Sequence, residues 1–375
     1  MLIVYIVLLV YYVGCFIFLN ITYYTLNKYY KKIKYKEKET GKEIDIQEKY
    51  APLVPIDSLN YFPFITLGII VFPIRIILVL STFFILKINL KILKLIYKNH
   101  EKDENQRKKI EKATYFWINL YFIINNIHIE KKNIQYEEIY KKYLGENYNF
   151  SQKDFSIYIS NHLGYLEIAA YMREYAVSYL ITFELLRTPA LGAALIELGC
   201  LFVNREDEES RKKALKDLEK RQIDFFHKKN FIRTLIFPEG TTTNGKYIAN
   251  FKRGAFTSLL PVKPLIVLPY DGFLCSTNRF FFFCRTVATF SIKICYAELP
   301  VISPTDYMFE KYKNFGNEKW EIYAKVVNKM YSEIGGFKQT NIRYRDRVQY
   351  YQISEDGYFI DNWAKLAFDI NYIFG

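Results

Sequence analysis

Residues 155–174 read Phe-Ser-Ile-Tyr-Ile-Ser-Asn-His-Leu-Gly-Tyr-Leu-Glu-Ile-Ala-Ala-Tyr-Met-Arg-Glu, and this stretch decides the fold. The apolar run at 155–159 predicts a buried strand. Ser160 and Asn161 come next and are suited to begin a helix, which we expect at about 164–174. A strand that passes directly into a helix is typical of an α/β domain.

His162 lies at the corner between the predicted strand and helix, five residues before Glu167. Residues five apart on one regular helix are separated by about 140° around its axis, which is too far for their side chains to meet. If His162 precedes the helix, however, the Glu167 carboxylate can reach back to one imidazole nitrogen and leave the other free. The pair therefore indicates a general base with an orienting carboxylate.

Three further apolar runs predict strands of the same sheet, at 199–205, 231–237 and 261–270. The loop at 238–245 contains glycines, hydroxyl side chains and one acid, and it can present backbone N–H groups to a phosphate or an oxyanion. An ordinary turn would have the same composition. Together these patterns predict an α/β domain at about 115–300, with a mixed, largely parallel sheet flanked by helices.

Composition narrows the class of protein. Of 375 residues, 51% are hydrophobic and 24% are charged, a mixture more typical of a globular domain with membrane anchors than of a polytopic transporter. The formal net charge of +13 indicates a polyanionic partner, and because apolar segments accompany it we expect lipid and not nucleic acid. The five cysteines are scattered without paired spacing, so neither a metal site nor a disulfide framework is expected.

The N-terminal segment, 1–24, predicts a transmembrane anchor. It carries no charged side chain, and at a rise of about 1.5 Å per residue it is long enough to cross a bilayer core. A cleaved secretory signal is the alternative, but lysines follow the segment where a small-residue cleavage site would be needed. The region 25–60 is a basic loop, and its lysines predict a cytoplasmic or matrix-like side.

A second apolar segment, 61–97, contains Pro73 and Arg75. If both of its flanks stay on one side of the membrane, Pro73 breaks the helix and the segment forms a hairpin within one leaflet; a straight crossing is the alternative. An arginine within the bilayer costs a few kcal/mol, so we expect Arg75 to snorkel or to pair with other groups.

At these residues the chain resembles the glycerolipid acyltransferase superfamily, in which four sequence blocks follow in a fixed order. The first block, Asn-His-four residues-Asp, is similar to 161–167, and the second, a glycine-rich strand ending in arginine, resembles 199–205. The third, Phe-Pro-Glu-Gly-Thr, is identical to 237–241, and the fourth, an apolar strand with a proline, is similar to 262–267. The chain looks most like the lysophosphatidylcholine and lysophosphatidylethanolamine acyltransferases, but Glu167 stands where the family usually has Asp.

The resemblance implies transfer of a fatty acyl group from acyl-coenzyme A to the free hydroxyl of a lysophospholipid, with His162 as the general base that Glu167 orients. Acyl-coenzyme A is then a co-substrate, and no permanently bound cofactor is expected. The predicted substrate-binding residues are Asn161, Arg205, Glu239, Gly240, Thr241, Lys252, Arg253 and Pro264.

These binding residues divide between two substrates that both carry phosphate. The resemblance implies that Arg205 and the loop at 239–241 hold the phosphate and glycerol region of the acceptor. The positive charges of Lys252 and Arg253 suit the phosphates of coenzyme A. Membrane lipid is the expected partner in both cases, since both substrates are amphiphiles.

A non-catalytic protein is the alternative. Glu167 departs from the family pattern, and a C-terminal extension, 301–375, is rich in tyrosine and charge, with a helix predicted near 318–334. Both features suit an inactive or vestigially active subunit of a membrane complex, whose partners would bind the basic loop and the extension. The enzyme is expected in the endoplasmic reticulum membrane, and the structural subunit in the mitochondrial inner membrane.

Overall fold

The computed structural model describes residues 2–31, 34–36, 43–54, 62–97, 103–183, 195–196, 198–205, 207–269 and 279–354. Its helices are α1 (Leu2–Lys31), α2 (Ile46–Lys49), α3 (Gly68–Ile96), α4 (Glu104–Ile124), α5 (Glu137–Leu144), α6 (Leu166–Tyr175), α7 (Glu208–Phe226), α8 (Arg279–Ala288), α9 (Asp306–Lys311), α10 (Lys319–Gly335) and α11 (Tyr344–Ser354). Its strands are β1 (Lys34–Lys36), β2 (Glu43–Asp45), β3 (Ile127–Lys131), β4 (Ile157–Ser160), β5 (Ser178–Thr182), β6 (Leu201–Val203), β7 (Thr234–Ile236), β8 (Tyr247–Ala249), β9 (Val262–Val267), β10 (Ile292–Glu298) and β11 (Lys338–Thr340).

Seven strands form one sheet in the order β3-β10-β9-β4-β7-β5-β6. Within this described sheet, β9 and β10 pair antiparallel and all other neighbours pair parallel. The predicted mixed, largely parallel sheet is therefore confirmed. Because β9, β4 and β7 are adjacent and parallel, their carboxyl ends meet at one edge, the usual location of a site in an open α/β sheet.

Helices cover both faces of the sheet because its central strands are apolar on both sides. In β4, Tyr158 belongs to the buried cluster that includes residues of α4 and α6. Ile157 and Ile159 point the other way and join the cluster that includes residues of α5 and α10. This alternation with a period of two residues gives a three-layer α/β/α domain.

The C-terminal region packs against the domain through α10 and β11. The helix predicted near 318–334 is present as α10. In it, the Tyr331 hydroxyl lies within hydrogen-bond distance of the carbonyl oxygens of Ile159, at 3.0 Å, and Leu265, at 3.2 Å, and can donate its one hydrogen to either. After α10, β11 pairs parallel with β8. Residues 301–340 therefore support the central strands from one face.

Two helices, α1 and α3, are long and apolar enough to cross a membrane by length and composition, over Val4–Tyr24 and Ile65–Leu93. The hairpin predicted for the second segment is wrong, because α3 continues through Pro73. A proline removes one backbone hydrogen bond and can kink a helix without ending it when packing continues on both sides. Phe72, for example, stacks on Phe18 of α1 with ring centroids 5.8 Å apart. The side chains of the basic loop lie largely outside the described residues.

Arg75 of α3 is buried and pairs with the end of α8. Its guanidinium donates hydrogen bonds to the carbonyl oxygens of Val287 at 3.4 Å, Thr289, and Phe290 at 2.9 Å. The last carbonyls of a helix have no partner within the helix and carry partial negative charge. The pairing expected for this arginine is thus found, and it connects α3 to the α/β domain.

Replacing Arg75 with methionine is expected to destabilise the protein by about 3 kcal/mol, because buried carbonyls lose a charged donor. The melting temperature of the full chain in detergent measures this loss. Lys91→Met is the matched control, since Lys91 is exposed on the same helix. Equal melting temperatures for the two variants would contradict the stabilising role of Arg75.

Candidate active site

His162 lies in the loop between β4 and α6, as predicted, and Glu167 lies in the first turn of that helix. The Nδ1 atom of His162 is 2.8 Å from Oε1 of Glu167. The same oxygen accepts hydrogen bonds from the backbone N–H groups of Leu163, at 2.9 Å, and Gly164, at 2.6 Å. The fully buried carboxylate therefore fixes both the imidazole ring and the backbone of the corner.

The protonation states of this pair follow from its surroundings. Burial alone would raise the pKa of Glu167, but the hydrogen bond and charge of His162 outweigh burial and hold that pKa below its ordinary value. An ionised carboxylate only accepts hydrogen bonds, so Nδ1 of His162 carries the hydrogen and Nε2 keeps its lone pair. Burial also lowers the pKa of His162, against the opposing effect of Glu167. The pair thus presents a neutral imidazole base at neutral pH.

Two aromatic rings hold the plane of the imidazole. The His162 ring stacks on Phe237, with centroids 4.0 Å apart and an interplanar angle of 14°. Phe237 in turn lies parallel to Tyr179, at 5.9 Å and 5°. The His162 side chain keeps 17% of its surface exposed. Its orientation is therefore fixed by edge and face contacts while part of the ring remains accessible to a reactant.

Glu239 connects the first and third sequence blocks. Its Oε1 accepts the backbone N–H of His162 at 2.8 Å, and its Oε2 accepts the backbone N–H of Ala249 at 2.7 Å. The carbonyl oxygen of His162 accepts the N–H of Thr243 at 3.0 Å. Glu239 is 1% exposed, so its carboxyl group holds the backbone of His162 from behind the site.

The substitution Glu239→Gln is expected to destabilise the fold by about 2 kcal/mol, because an amide NH2 then faces one of two buried N–H donors. Burial raises the pKa of Glu239 to about 8. A pKa raised in the folded state adds stability that is present at low pH and is lost as the pH rises toward 8. The variant should lack this pH dependence of the melting temperature.

Melting curves between about pH 5 and pH 8.5 test both effects. The exposed Glu138→Gln is the control, and it should behave as the wild type. A Glu239→Gln protein with unchanged stability and an unchanged pH dependence would exclude the positioning role.

Two other predicted binding residues also lie behind the site. Asn161 is 1% exposed; its Nδ2 donates to the carbonyl oxygen of Val267 and its Oδ1 accepts the Val267 N–H, both at 2.9 Å. Pro264 is buried within β9, opposite Ile159 of β4. Asn161, Pro264 and Glu239 are therefore buried within the domain, and the substrate contact predicted for them stays a prediction.

The other predicted binding residues mostly gather around Gly240. Arg205 Nη1 donates to the carbonyl oxygen of Gly240 at 3.0 Å, and a Cβ added to Gly240 would lie 2.6 Å from Nζ of Lys252. Gly240 has φ of +65°, a left-handed backbone conformation that favours glycine. Thr241 Oγ1 is buried and has no hydrogen-bond partner among the described residues. Arg253 is exposed in the next 3-10 turn.

Two residues that contact the site, Phe237 and Tyr344, had no predicted role. Phe237 is the first residue of the third block, so the match of that block could have identified it. Tyr344, in the C-terminal region, has its ring 4.6 Å from Cζ of Arg205. No local pattern around Tyr344 indicates this contact, because it depends on how distant segments pack.

Comparison with known proteins supports the prediction from the blocks. Residues 142–270 match the family model described as Acyltransferase. The chain is 29% identical over 186 residues to lysophospholipid acyltransferase LPEAT1 of Arabidopsis thaliana, covering 47% of this chain and 46% of that protein. It is 28% identical over 165 residues to human lysophosphatidylcholine acyltransferase 1, covering 42% and 29%. The matches thus span less than half the length of these relatives.

Among solved structures, the fold is similar to the 1-acyl-sn-glycerophosphate (LPA) acyltransferase PlsC from Thermotoga maritima. That similarity has a TM-score of 0.43 and a sequence identity of 17%, and it covers 69% of this chain and 95% of the other. The residues matched by the family model, 142–270, contain all four sequence blocks. Residues 142–270 therefore form a domain of the acyltransferase family, which confirms the family predicted from the four sequence blocks.

Proposed function

We propose that this protein transfers a fatty acyl group from acyl-coenzyme A to the free hydroxyl of a lysophospholipid. The observation that carries the proposal is the 2.8 Å contact between Nδ1 of His162 and Oε1 of Glu167. It leaves Nε2 as the basic nitrogen on a ring that is held in one plane. A carboxylate distant from the imidazole would instead have favoured a non-catalytic protein.

In the proposed reaction, Nε2 of His162 removes the proton of the acceptor hydroxyl as its oxygen attacks the thioester carbonyl carbon. The buried Glu167 carboxylate stabilises the imidazolium that forms. The carbon–sulfur bond then breaks, the new ester bond remains, and the imidazolium returns the proton to the thiolate of coenzyme A. The step needs no covalent acyl-enzyme.

The polar groups around Gly240 suit a phosphate ester in the acceptor position. Arg205 offers a guanidinium, which binds phosphate oxygens in a bidentate way. The Thr241 hydroxyl has no partner in the described part of the chain and is as buried as Glu239, so its contact with the acceptor stays a prediction. We propose that Lys252 and Arg253 favour the phosphates of coenzyme A.

We also propose that α1 and α3 hold the domain at a membrane. Both substrates are amphiphiles that reside in or near a bilayer, and Arg75 connects α3 with the domain through the end of α8. The endoplasmic reticulum is the location that we expect. Microscopy of the tagged full chain beside organelle markers tests it, and a mitochondrial signal would favour the structural-subunit alternative.

The direct test uses the full chain purified in detergent. Release of free coenzyme A thiol is followed with a long-chain acyl-coenzyme A and a panel of lysophosphatidylcholine, lysophosphatidylethanolamine and lysophosphatidic acid. Turnover with at least one acceptor supports the proposal, and the panel identifies the headgroup preference. Absence of turnover with every acceptor, together with stably co-purifying proteins, would support the alternative of a non-catalytic membrane-complex subunit.

A further inference from the structure

The last described part of the basic loop, 50–54, forms a buried turn against the domain. The carbonyl oxygen of Tyr50 accepts the N–H groups of Leu53, at 2.8 Å, and Val54, at 3.1 Å. Tyr50 and Leu53 are buried, and they form one cluster with Tyr350 of α11. The 50–54 turn is therefore packed on the domain, although it lies in the chain between the two apolar helices α1 and α3.

Asn244 binds this turn with both its side chain and its backbone. Its Nδ2 donates to the carbonyl oxygens of Ala51 and Val54, both at 2.8 Å, and its backbone N–H donates to the carbonyl oxygen of Pro52 at 2.8 Å. Its Oδ1 accepts the backbone N–H of Lys246 at 3.2 Å. An amide carries two N–H donors and one acceptor oxygen on a single planar group, so asparagine matches two carbonyls on one side and an N–H on the other.

The neighbours of Asn244 in the chain contact the corner that carries the base. The backbone N–H of Thr243 donates to the carbonyl oxygen of His162 at 3.0 Å. Gly245 has φ of +79°, and a Cβ added to it would lie 3.3 Å from Cδ2 of Leu163. The backbone on both sides of Asn244 is thus fitted closely to the corner.

The loop of the third block, 238–245, holds both polar groups of the His162 backbone. Glu239 accepts its N–H at 2.8 Å, and Thr243 donates to its carbonyl oxygen. Thr243 is fixed on one side by its own hydroxyl, which donates to a carbonyl oxygen of β8 at 2.8 Å. On the other side it is fixed by Asn244, which binds the turn.

We propose that Asn244 is a positioning residue for His162, which acts by fixing the loop of the third block to the 50–54 turn. A base must be held close to its working position, since a misplacement of about 1 Å can lower a rate about 100-fold. The turn belongs to the segment between α1 and α3, so Asn244 links that segment to the base. The effect on catalysis rests on the proposed function, whereas the state of the His162 ring can be measured without turnover.

The test compares Asn244→Ala and Asn244→Asp with the wild type, all as full chains in detergent. We expect kcat to fall roughly 10- to 100-fold in both variants, because the loop is released from the turn and the base loses its position. Aspartate keeps the volume of the side chain and the oxygen that faces Lys246 but offers no N–H donor. Its loss therefore attributes the effect to the two donated hydrogen bonds.

Asn250→Ala is the matched control for removing an asparagine side chain near β8. Asn250 is exposed, and its Nδ2 donates to Oδ1 of Asn341 at 2.8 Å. This variant should keep the wild-type rate.

A spectroscopic measurement reports the position of the base without turnover. The ring nitrogens of His162 are followed by nitrogen NMR in a chain labelled at its histidines, and His162→Ala assigns the signal. In the wild type we expect Nδ1 to carry the hydrogen at neutral pH, as its contact with ionised Glu167 requires. Both Asn244 variants should shift this signal and its titration midpoint, because the ring moves relative to Glu167, whereas Asn250→Ala should not.

A double variant separates positioning from a general loss of folded protein. If Asn244 acts through the base, adding Asn244→Ala to His162→Ala lowers kcat little further, whereas two independent effects would multiply.

A His162 signal that matches the wild type in both Asn244 variants would overturn the positioning role, and so would a wild-type kcat in both. If the wild-type chain turns over no acceptor, the proposed function fails and the His162 signal alone decides the positioning role. If neither variant folds, Asn244→Ser takes their place, because its hydroxyl can still donate to one of the two carbonyls. The serine variant should show the same changes in smaller size, and their absence would again overturn the proposal.

Discussion

Protein with alanine in place of His162 is expected to transfer acyl groups about 1,000-fold more slowly than the wild type, the loss typical of a missing general base. The acceptor hydroxyl has a high pKa and cannot attack the thioester at neutral pH unless a base takes its proton in the same step. Glu167 cannot replace the imidazole, because it is fully buried and its Oε1 still accepts the backbone N–H groups of Leu163 and Gly164 in the variant. The fold itself should lose little beyond the stacking of the imidazole on Phe237.

Release of coenzyme A thiol by purified His162→Ala, compared with wild type at equal protein concentration, measures this effect. His128→Ala is the control, since His128 is exposed on β3 and its Nε2 contacts Asn126 at 2.9 Å. The control should keep wild-type activity. A His162→Ala protein that retains more than about a tenth of the wild-type rate would exclude His162 as the base.

The pH dependence gives a second measure of the same base. Burial lowers the pKa of His162 below its ordinary value of 6.5, Glu167 opposes this effect, and the charges of Arg347 and Arg205 add to it. Because the neutral imidazole is the active form, kcat/KM should rise with pH, with its midpoint below pH 6.5, and then level off. A midpoint well above that value would mean that another group limits the rate.

The local sequence pattern was sufficient to predict the corner between β4 and α6 that carries His162. Apolar residues on both faces of β4, followed by polar residues and a helix, predicted the strand and the helix separately. His162 and Glu167 could then be paired, because only a histidine placed before the helix can meet a carboxylate five residues later. The third block follows β7, which is parallel and adjacent to β4 in the structure, so its loop lies at the same edge of the sheet as His162.

The sequence did not reveal which side chains of the blocks face a substrate. Asn161 and Glu239 belong to the motifs, yet each uses its polar atoms on buried backbone groups. A motif fixes residue type and order, whereas the direction of a side chain depends on tertiary packing. The same limit applies to Tyr344, whose contact with Arg205 joins segments that are distant in the chain. In α3, packing around Pro73 likewise overrode the local preference for a break.

Replacing Glu167 with aspartate, the residue usual in the family, is expected to lower the rate about 100-fold, since a displacement of about 1 Å can have an effect of this size. The carboxylate would withdraw by about one carbon–carbon bond length, 1.5 Å. Oε1 would then lose good geometry with Nδ1 of His162 and with the N–H groups of Leu163 and Gly164, now at 2.8, 2.9 and 2.6 Å. In this chain, the residue typical of the family is thus expected to be the worse one.

Glu167→Gln separates the charge of this carboxylate from its position. The amide oxygen can still accept all three N–H groups, so the tautomer of His162 is preserved, but the imidazolium loses its counter-charge and the rate should again fall about 100-fold. Glu174→Asp, at an exposed position of the same helix, is the control for shortening a glutamate in α6. Full activity of Glu167→Asp would mean that α6 and the corner shift together to restore the contact, whereas full activity of Glu167→Gln would exclude charge stabilisation. Loss in both variants with a wild-type melting temperature would support a pair in which position and charge are both needed.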